Sequence, residues 1–195
     1  MDPRYEWRIW ADDLSDVGAR IRASASADDR RGGRETYIAS IETTATNAKI
    51  RDGMLDIKVL QSADRGFEQW VPLDKRPFPI TGRVTSDLVS RLGITTVVDR
   101  TQYTWSRLLE EIIVPMPQLA AVEVTKDRRL FTHAGCIVEF ADVTVAGTRV
   151  QTAAVESADL AVLSRLSESL GMTRAPNVNY PRMIHRVLGW VDREE

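Results

Sequence analysis

The chain has 195 residues, 43% of them hydrophobic, which is enough to bury a core and excludes a compositionally disordered protein. Its formal net charge of −2 excludes a general nucleic-acid coat, so any basic site must be local and balanced by acids. The single cysteine, Cys136, has no partner for an internal disulfide and fits a reducing cytoplasm. No apolar run approaches the ~20 residues that span a bilayer, and the opening MDPRYEWRIW has no apolar secretory segment.

In chain order, Glu6 to Trp10 reads as a strand with Trp7 and Ile9 on one face and Glu6 and Arg8 on the other. Asp12 or Asp13 can cap a helix holding Leu14, Val17 and Ile21 at helical spacing. Ser24 to Gly33 reads as a polar loop, and Thr36 to Thr44, rich in β-branched residues, as extended chain. In Asn47 to Leu60 the pair Asp52-Gly53 supplies the positive φ of a tight hairpin turn, setting Arg51 opposite Met54 and Lys49 opposite Asp56. One face of that hairpin carries Ala48, Ile50, Leu55, Ile57 and Val59. The other carries Lys49, Arg51, Asp56 and Lys58, which is either a solvated face or a charged wall for an anion.

Gly66 to Val71 is a further strand with Glu68 and Trp70 on one face, and Pro72, Pro77 and Pro79 mark a loop. Thr85 to Leu92 is a short helix closed by Gly93, and Thr95 to Trp105 reads as a strand. Leu108 to Val114 fits helix or strand. Leu119 to Phe131 and Cys136 to Val145 form a hairpin around His133 to Gly135, and Thr148 to Glu156 is the last strand. Ser157 caps a helix with a stripe of Leu160, Leu163, Leu166 and Leu170, ended by Gly171, and Tyr180 to Leu188 is a final helix. His133 and His185 lack metal-ligand spacing, no Walker-type or GxGxxG loop occurs, and Trp7, Trp70, Trp105 and Trp190 read as packing groups.

About eight mostly antiparallel strands and a few helices result. A sheet wrapped around a polar interior, with helices on its apolar outside, gives this alternation. A flat sheet packed on helices gives it equally.

The order of pieces resembles the CYTH superfamily, the triphosphate tunnel metalloenzymes. Glu6-Trp7-Arg8-Ile9-Trp10 stands where that family opens with Glu-x-Glu-x-Lys. Lys49-Ile50-Arg51 and Leu55-Asp56-Ile57-Lys58 look like its basic strands, and Val98-Asp99-Arg100-Thr101-Gln102-Tyr103 like its later arginine strand. Arg129 and Asp142-Val143-Thr144-Val145-Ala146-Gly147 look like its next hairpin, and Ala154-Val155-Glu156 like its last strand. Leu170-Gly171-Met172 and Asn179-Tyr180-Pro181-Arg182-Met183-Ile184 are similar to its ending. The chain departs from the pattern at three places: Arg8 replaces the second metal-binding glutamate, Trp10 the phosphate-binding lysine, and Ala154 a glutamate of the last strand.

The resemblance implies an α+β fold: an antiparallel eight-stranded β-barrel, triphosphate-tunnel-like, with flanking helices, in a single CYTH-like domain spanning 1–195. It implies divalent-metal-dependent hydrolysis of inorganic triphosphate or a triphosphorylated small molecule, with Mg2+ or Mn2+ as cofactor. Glu6, Lys58 and Arg100 take catalytic positions; Arg8, Lys49, Arg51, Lys58, Arg100 and Arg129 take substrate-binding positions; Glu6, Glu139 and Glu156 take metal positions. A triphosphate carries about four negative charges and needs several cations aimed at one volume. Glu68 is a further balancing acid. Two alternatives on the same scaffold are a non-catalytic phosphate- or nucleotide-binding protein, to which the missing acids point, and an adenylyl-cyclase-like activity on ATP.

Overall fold

A computed structural model describes residues 3–24 and 29–190. Eight strands close into an antiparallel barrel in the order β1-β10-β9-β8-β2-β3-β4-β5. These are β1 (Arg4–Ala11), β2 (Asp29–Ser40), β3 (Thr43–Arg51), β4 (Met54–Asp64), β5 (Phe67–Pro77), β8 (Leu119–His133), β9 (Cys136–Val145) and β10 (Thr148–Ser157). A two-stranded ribbon, β6 (Ile80–Thr81) with β7 (Gln102–Tyr103), lies apart from the barrel ladder. The described helices are α1 (Ser15–Ser24), α2 (Gly82–Arg91), α3 (Trp105–Leu108), α4 (Leu160–Ser169) and α5 (Tyr180–Leu188). No described helix is long and apolar enough to cross a membrane.

Tight turns build the barrel. Asp52-Gly53 turns between β3 and β4 with φ of 52° and 70°, and the register sets Arg51 against Met54 and Lys49 against Asp56, as the turn chemistry requires. Arg65-Gly66, Ala134-Gly135 and Ala146-Gly147 repeat this pair of positive φ values between β4 and β5, β8 and β9, and β9 and β10. In each the second position is glycine, which enters the left-handed region without a Cβ clash.

The chain forms two compact units. One draws on Met1–Arg34, Leu60–Val71 and Val124–Asn179. Its core packs Trp7, Ile9, Val138 and Val155 from the strands against Ile21 of α1 and Leu163 and Leu166 of α4. The other draws on Glu35–Val59, Pro72–Glu123 and Tyr180–Glu195. Its core packs Ile38, Ala48, Leu55 and Ile57 against Leu88 of α2 and Leu108 of α3. In each, alternation sends every second strand residue towards the helices and its neighbours to the other face, which in a closed barrel is the inner one.

Several elements differ from the sequence expectation. The polar loop of Ser24 to Gly33 becomes strand from Asp29 onward, held by the β2–β8 pairing; residues 25–28 lie outside the described residues. Thr36 to Thr44 is two strands, broken at Ile41-Glu42. The proline loop is strand through Pro77, so Pro72 sits within β5. The strand expected over Thr95 to Trp105 shrinks to Gln102–Tyr103, because its only ladder partner is Ile80–Thr81. The chain instead curls round the buried Tyr103 hydroxyl, which accepts from the Arg100 N–H at 3.4 Å and donates to Asp99 at 3.2 Å. Leu108 to Val114 is helical, ending in a π turn at Leu109–Ile113. The cap of α4 is Asp159, whose Oδ1 accepts from the Ala161 and Val162 N–H groups, with Ser157 one step behind, accepting from the Asp159 N–H.

Candidate functional site

In the unit that contains the central hairpin, the face away from the helices carries Glu35 and Tyr37 of β2, Lys49 and Arg51 of β3, and Asp56 and Lys58 of β4. Glu35 is 1% exposed. Its Oε2 accepts from Lys49 Nζ at 3.4 Å and the Tyr37 hydroxyl at 3.2 Å, and its Oε1 from Arg51 Nη1 at 3.3 Å. Lys49 Nζ also lies 5.8 Å from the centre of the Tyr37 ring. Burial holds the Lys49 ammonium below its ordinary pKa; Glu35 and Asp56 oppose that shift, while Arg51 and Lys58 reinforce it. Three cations thus share one face with two carboxylates, an excess that an anion would relieve. Glu35 was missed in the sequence because it follows the glycines and arginines of an apparent loop. Its signal was the alternation Glu35, Tyr37, Ala39 against Thr36, Ile38, Ser40.

In the other unit, the corresponding face of β1, β5, β9 and β10 carries Glu6, Arg8, Glu68, Glu139 and Glu156. Glu6 is the direct cross-strand partner of Glu156 on one side and of Glu68 on the other, so three carboxylates form a row across β5, β1 and β10. Like charges in that register repel. Arg8 answers the middle one, Glu6: its Nε donates to Glu6 Oε1 at 2.8 Å, and its Nη1 to Glu139 Oε1 at 2.8 Å and to Thr152 Oγ1 at 3.3 Å. The Glu68 carboxylate accepts from Asn179 Nδ2 and Trp70 Nε1. Arg128 Nη1 stands 3.8 Å from Glu139 Oε2. Burial would raise the Glu139 pKa, but Arg8, Lys126 and Arg128 together outweigh it and hold the carboxyl below its ordinary value. This face is not polar throughout: Lys126 shares it with the buried Val124 and Val143.

Two expected substrate-binding residues lie elsewhere. Arg129 is opposite Phe140, which belongs to the helix-facing core, so Arg129 points away from Glu139; the residues that share the Glu139 face are Arg128 and Lys126. A single step along a strand exchanges the faces, and four consecutive charged residues, Lys126 to Arg129, hide that parity. Arg100 sits outside the barrel strands, exposed and paired with Glu111.

Among the described residues no three His, Cys, Asp or Glu side chains gather as a metal-holding group. Of the three expected ligands, Glu6 and Glu139 both hold the Arg8 guanidinium, which stands between them as a cation of its own. The donor set as folded does not fit a divalent ion.

A closed antiparallel eight-stranded barrel with flanking helices and charge on the face away from them is the α+β tunnel fold, and the chain resembles CYTH-like proteins in it. Solved structures agree. HpAC1 from Hippeastrum, described as an adenylyl cyclase candidate with a dominant triphosphatase activity, is 11% identical, matching 99% of this chain and 98% of its own at a TM-score of 0.52. The PH1819 protein from Pyrococcus horikoshii OT3 is 12% identical, matching 94% of this chain and 99% of its own at a TM-score of 0.51. At these identities the likeness is one of fold. No family model matches the chain, and no curated protein matches it in sequence.

Proposed function

We propose that this protein binds a triphosphate anion, free or as part of a nucleotide, on the inner face of its barrel at Lys49, Arg51 and Lys58. The observation that carries this reading is the desolvated Lys49: an ammonium whose burial opposes its charge, set beside Arg51 and Lys58, with Glu35 and Asp56 too few to balance them. An incoming anion converts that unfavourable cluster into charge-assisted hydrogen bonds. Adjacent strands supply the three cations, so their spacing is fixed by the ladder and no loop has to close on the ligand. The likeness in fold to HpAC1 supports the choice of triphosphate over other anions.

Of the readings the sequence allows, binding without turnover fits the site best. Metal-dependent hydrolysis with Mg2+ or Mn2+ needs carboxylates that Arg8 holds, and the arrangement offers no second set among the described residues. The test is calorimetric titration of inorganic triphosphate and of ATP, alongside phosphate and pyrophosphate release with and without Mn2+. Saturable binding without release is the expected result. Mn2+-dependent phosphate release would restore the hydrolase, and pyrophosphate release from ATP the cyclase-like activity.

A further inference from the structure

Arg8 is held at both ends. Its backbone N–H donates to Asn177 Oδ1 at 2.7 Å and its carbonyl accepts from the Val178 N–H at 2.8 Å. Asn177 Nδ2 in turn donates to the carbonyls of Glu6 and Gly66, pinning the strand on which Arg8 sits. Its side chain is 4% exposed and donates to two carboxylates and a hydroxyl. Thr152 is fixed for this, because its hydroxyl donates to the Ile9 carbonyl and turns a lone pair towards Arg8. A guanidinium stays protonated in any ordinary buffer, so this charge is permanent.

Arg8 bridges two carboxylates from different strands, Glu6 Oε1 of β1 on its Nε and Glu139 Oε1 of β9 on its Nη1, and so occupies the space between them. Carboxylate oxygens are the donors that Mg2+ or Mn2+ takes. Glu156 lies beside Glu6 across the ladder and adds negative charge to the same neighbourhood. An ion entering now would have to break the two hydrogen bonds that Arg8 donates to Glu6 and Glu139 and leave a buried guanidinium with a dication next to it.

We propose that Glu6 and Glu139 form a latent divalent-cation site that Arg8 masks, so that Arg8 serves as a built-in cation and the protein is indifferent to metal. Removing the guanidinium uncovers repelling carboxylates that a dication then relieves. The corollary, that triphosphate binds equally well without metal, rests on the phosphoanion reading above; the masking itself does not.

Mn2+ alone, titrated by calorimetry into the full chain, tests the masking. The parent and Arg8→Lys are expected to take up no Mn2+ at up to millimolar concentration. Arg8→Gln is expected to melt several degrees lower in EDTA and to recover most of that loss in Mn2+, since an ion stabilises only the state that binds it. Micromolar Mn2+ binding by the parent overturns the proposal, and so does a folded Arg8→Gln that ignores Mn2+. Should Arg8→Gln fail to fold, the parent titration decides alone. Triphosphate affinity in EDTA, expected within twofold of that in Mn2+, is read separately. Its absence in both buffers defeats the phosphoanion reading and leaves the Mn2+ result on Arg8 standing.

Discussion

Glu6 of β1 and Glu68 of β5 are cross-strand partners, yet each carboxylate answers to a different group: Glu6 to Arg8, and Glu68 to Asn179, whose Nδ2 lies 3.0 and 3.1 Å from its two oxygens. Separate donors on the two acids offset the repulsion of their direct register. Asn179 is therefore a structural donor. Asn179→Leu should lower stability by about 1.5–3 kcal/mol, the usual cost of losing a hydrogen bond to a charged group. Asn179→Asp should cost more at pH 7 and recover part of the loss near pH 4. Urea unfolding at both pH values checks this; equal stability of the two variants at pH 7 would remove the role given to Asn179.

The Lys49 ammonium opposes folding. Its pKa is depressed by burial, so the folded state binds its proton less well than the unfolded chain does. The penalty is present below the folded pKa, and stability rises with pH between the folded and unfolded values. Lys49→Met should therefore leave the thermal midpoint at pH 7 unchanged or raised, with Arg51 still facing Glu35. Triphosphate affinity should fall about 10- to 150-fold, the equivalent of ~1.5–3 kcal/mol. A lowered midpoint with intact affinity would reverse the assignment of Lys49 from ligand contact to scaffold.

Acid stability should depend on Glu139. Its folded pKa is lowered, so its contribution is complete above the unfolded carboxyl value of about 4.3 and is lost as pH falls through the folded value. Between those limits the unfolded chain binds more protons, and stability rises with pH. Glu139→Gln should cost about 1–3 kcal/mol at pH 7 and flatten the fall in melting temperature from pH 5 to pH 3. Parallel pH profiles for parent and variant would contradict this.

Arg100→Ala and Arg129→Ala serve as a pair of controls. The first residue is exposed outside the barrel strands, and the second faces away from Glu139. Both variants are expected to bind triphosphate within about twofold of the parent, because an exposed or outward charge adds little at ordinary salt. A tenfold loss in either variant would reinstate that arginine.

Ala146 sits at φ 46° in the β9–β10 turn, a conformation that asparagine tolerates better than alanine. Ala146→Asn should raise stability, read as a higher urea midpoint with an unchanged slope.

Much of this fold could be read from local chemistry. Asp52-Gly53 states its turn type outright, and the alternation on either side fixes which residues oppose which. The leucine stripe of α4 and the span of α5 are equally plain. What escaped notice was decided by partners far along the chain. The start of β2, Asp29 to Arg34, is polar and exposed on both sides and becomes strand only by pairing with β8. Thr95 to Trp105 has strand-forming side chains but almost no ladder to join. Ala146-Gly147 and Arg65-Gly66 lack the asparagine or aspartate that advertises a turn. In the candidate site, Lys49, Arg51 and Lys58 share one face, as the hairpin foretold. Arg129 was placed by analogy with a pattern, and its parity is set by the register of β8 against β9. The grip of Arg8 on Glu6 was in reach, two residues apart on one strand; its grip on Glu139 was not.

The tight turns have a consequence for the order of assembly. They join β3 to β4, β4 to β5, β8 to β9 and β9 to β10, so those ladders can zip from their turns outward at small entropic cost. β1 has no such neighbour: it pairs with β10, more than 130 residues along the chain, and with β5. Both of its ladders close long loops, so they form at greater entropic cost than the turn-linked ones, and Trp7 and Ile9 stay uncovered until they do. Substitutions at Asp52-Gly53 should slow folding, with φ-values near one, whereas truncating Trp7 or Ile9 should mainly hasten unfolding, with values near zero. The barrel would then behave as a pair of early ribbons closed by a late stave, and its seam is the strand that carries Arg8.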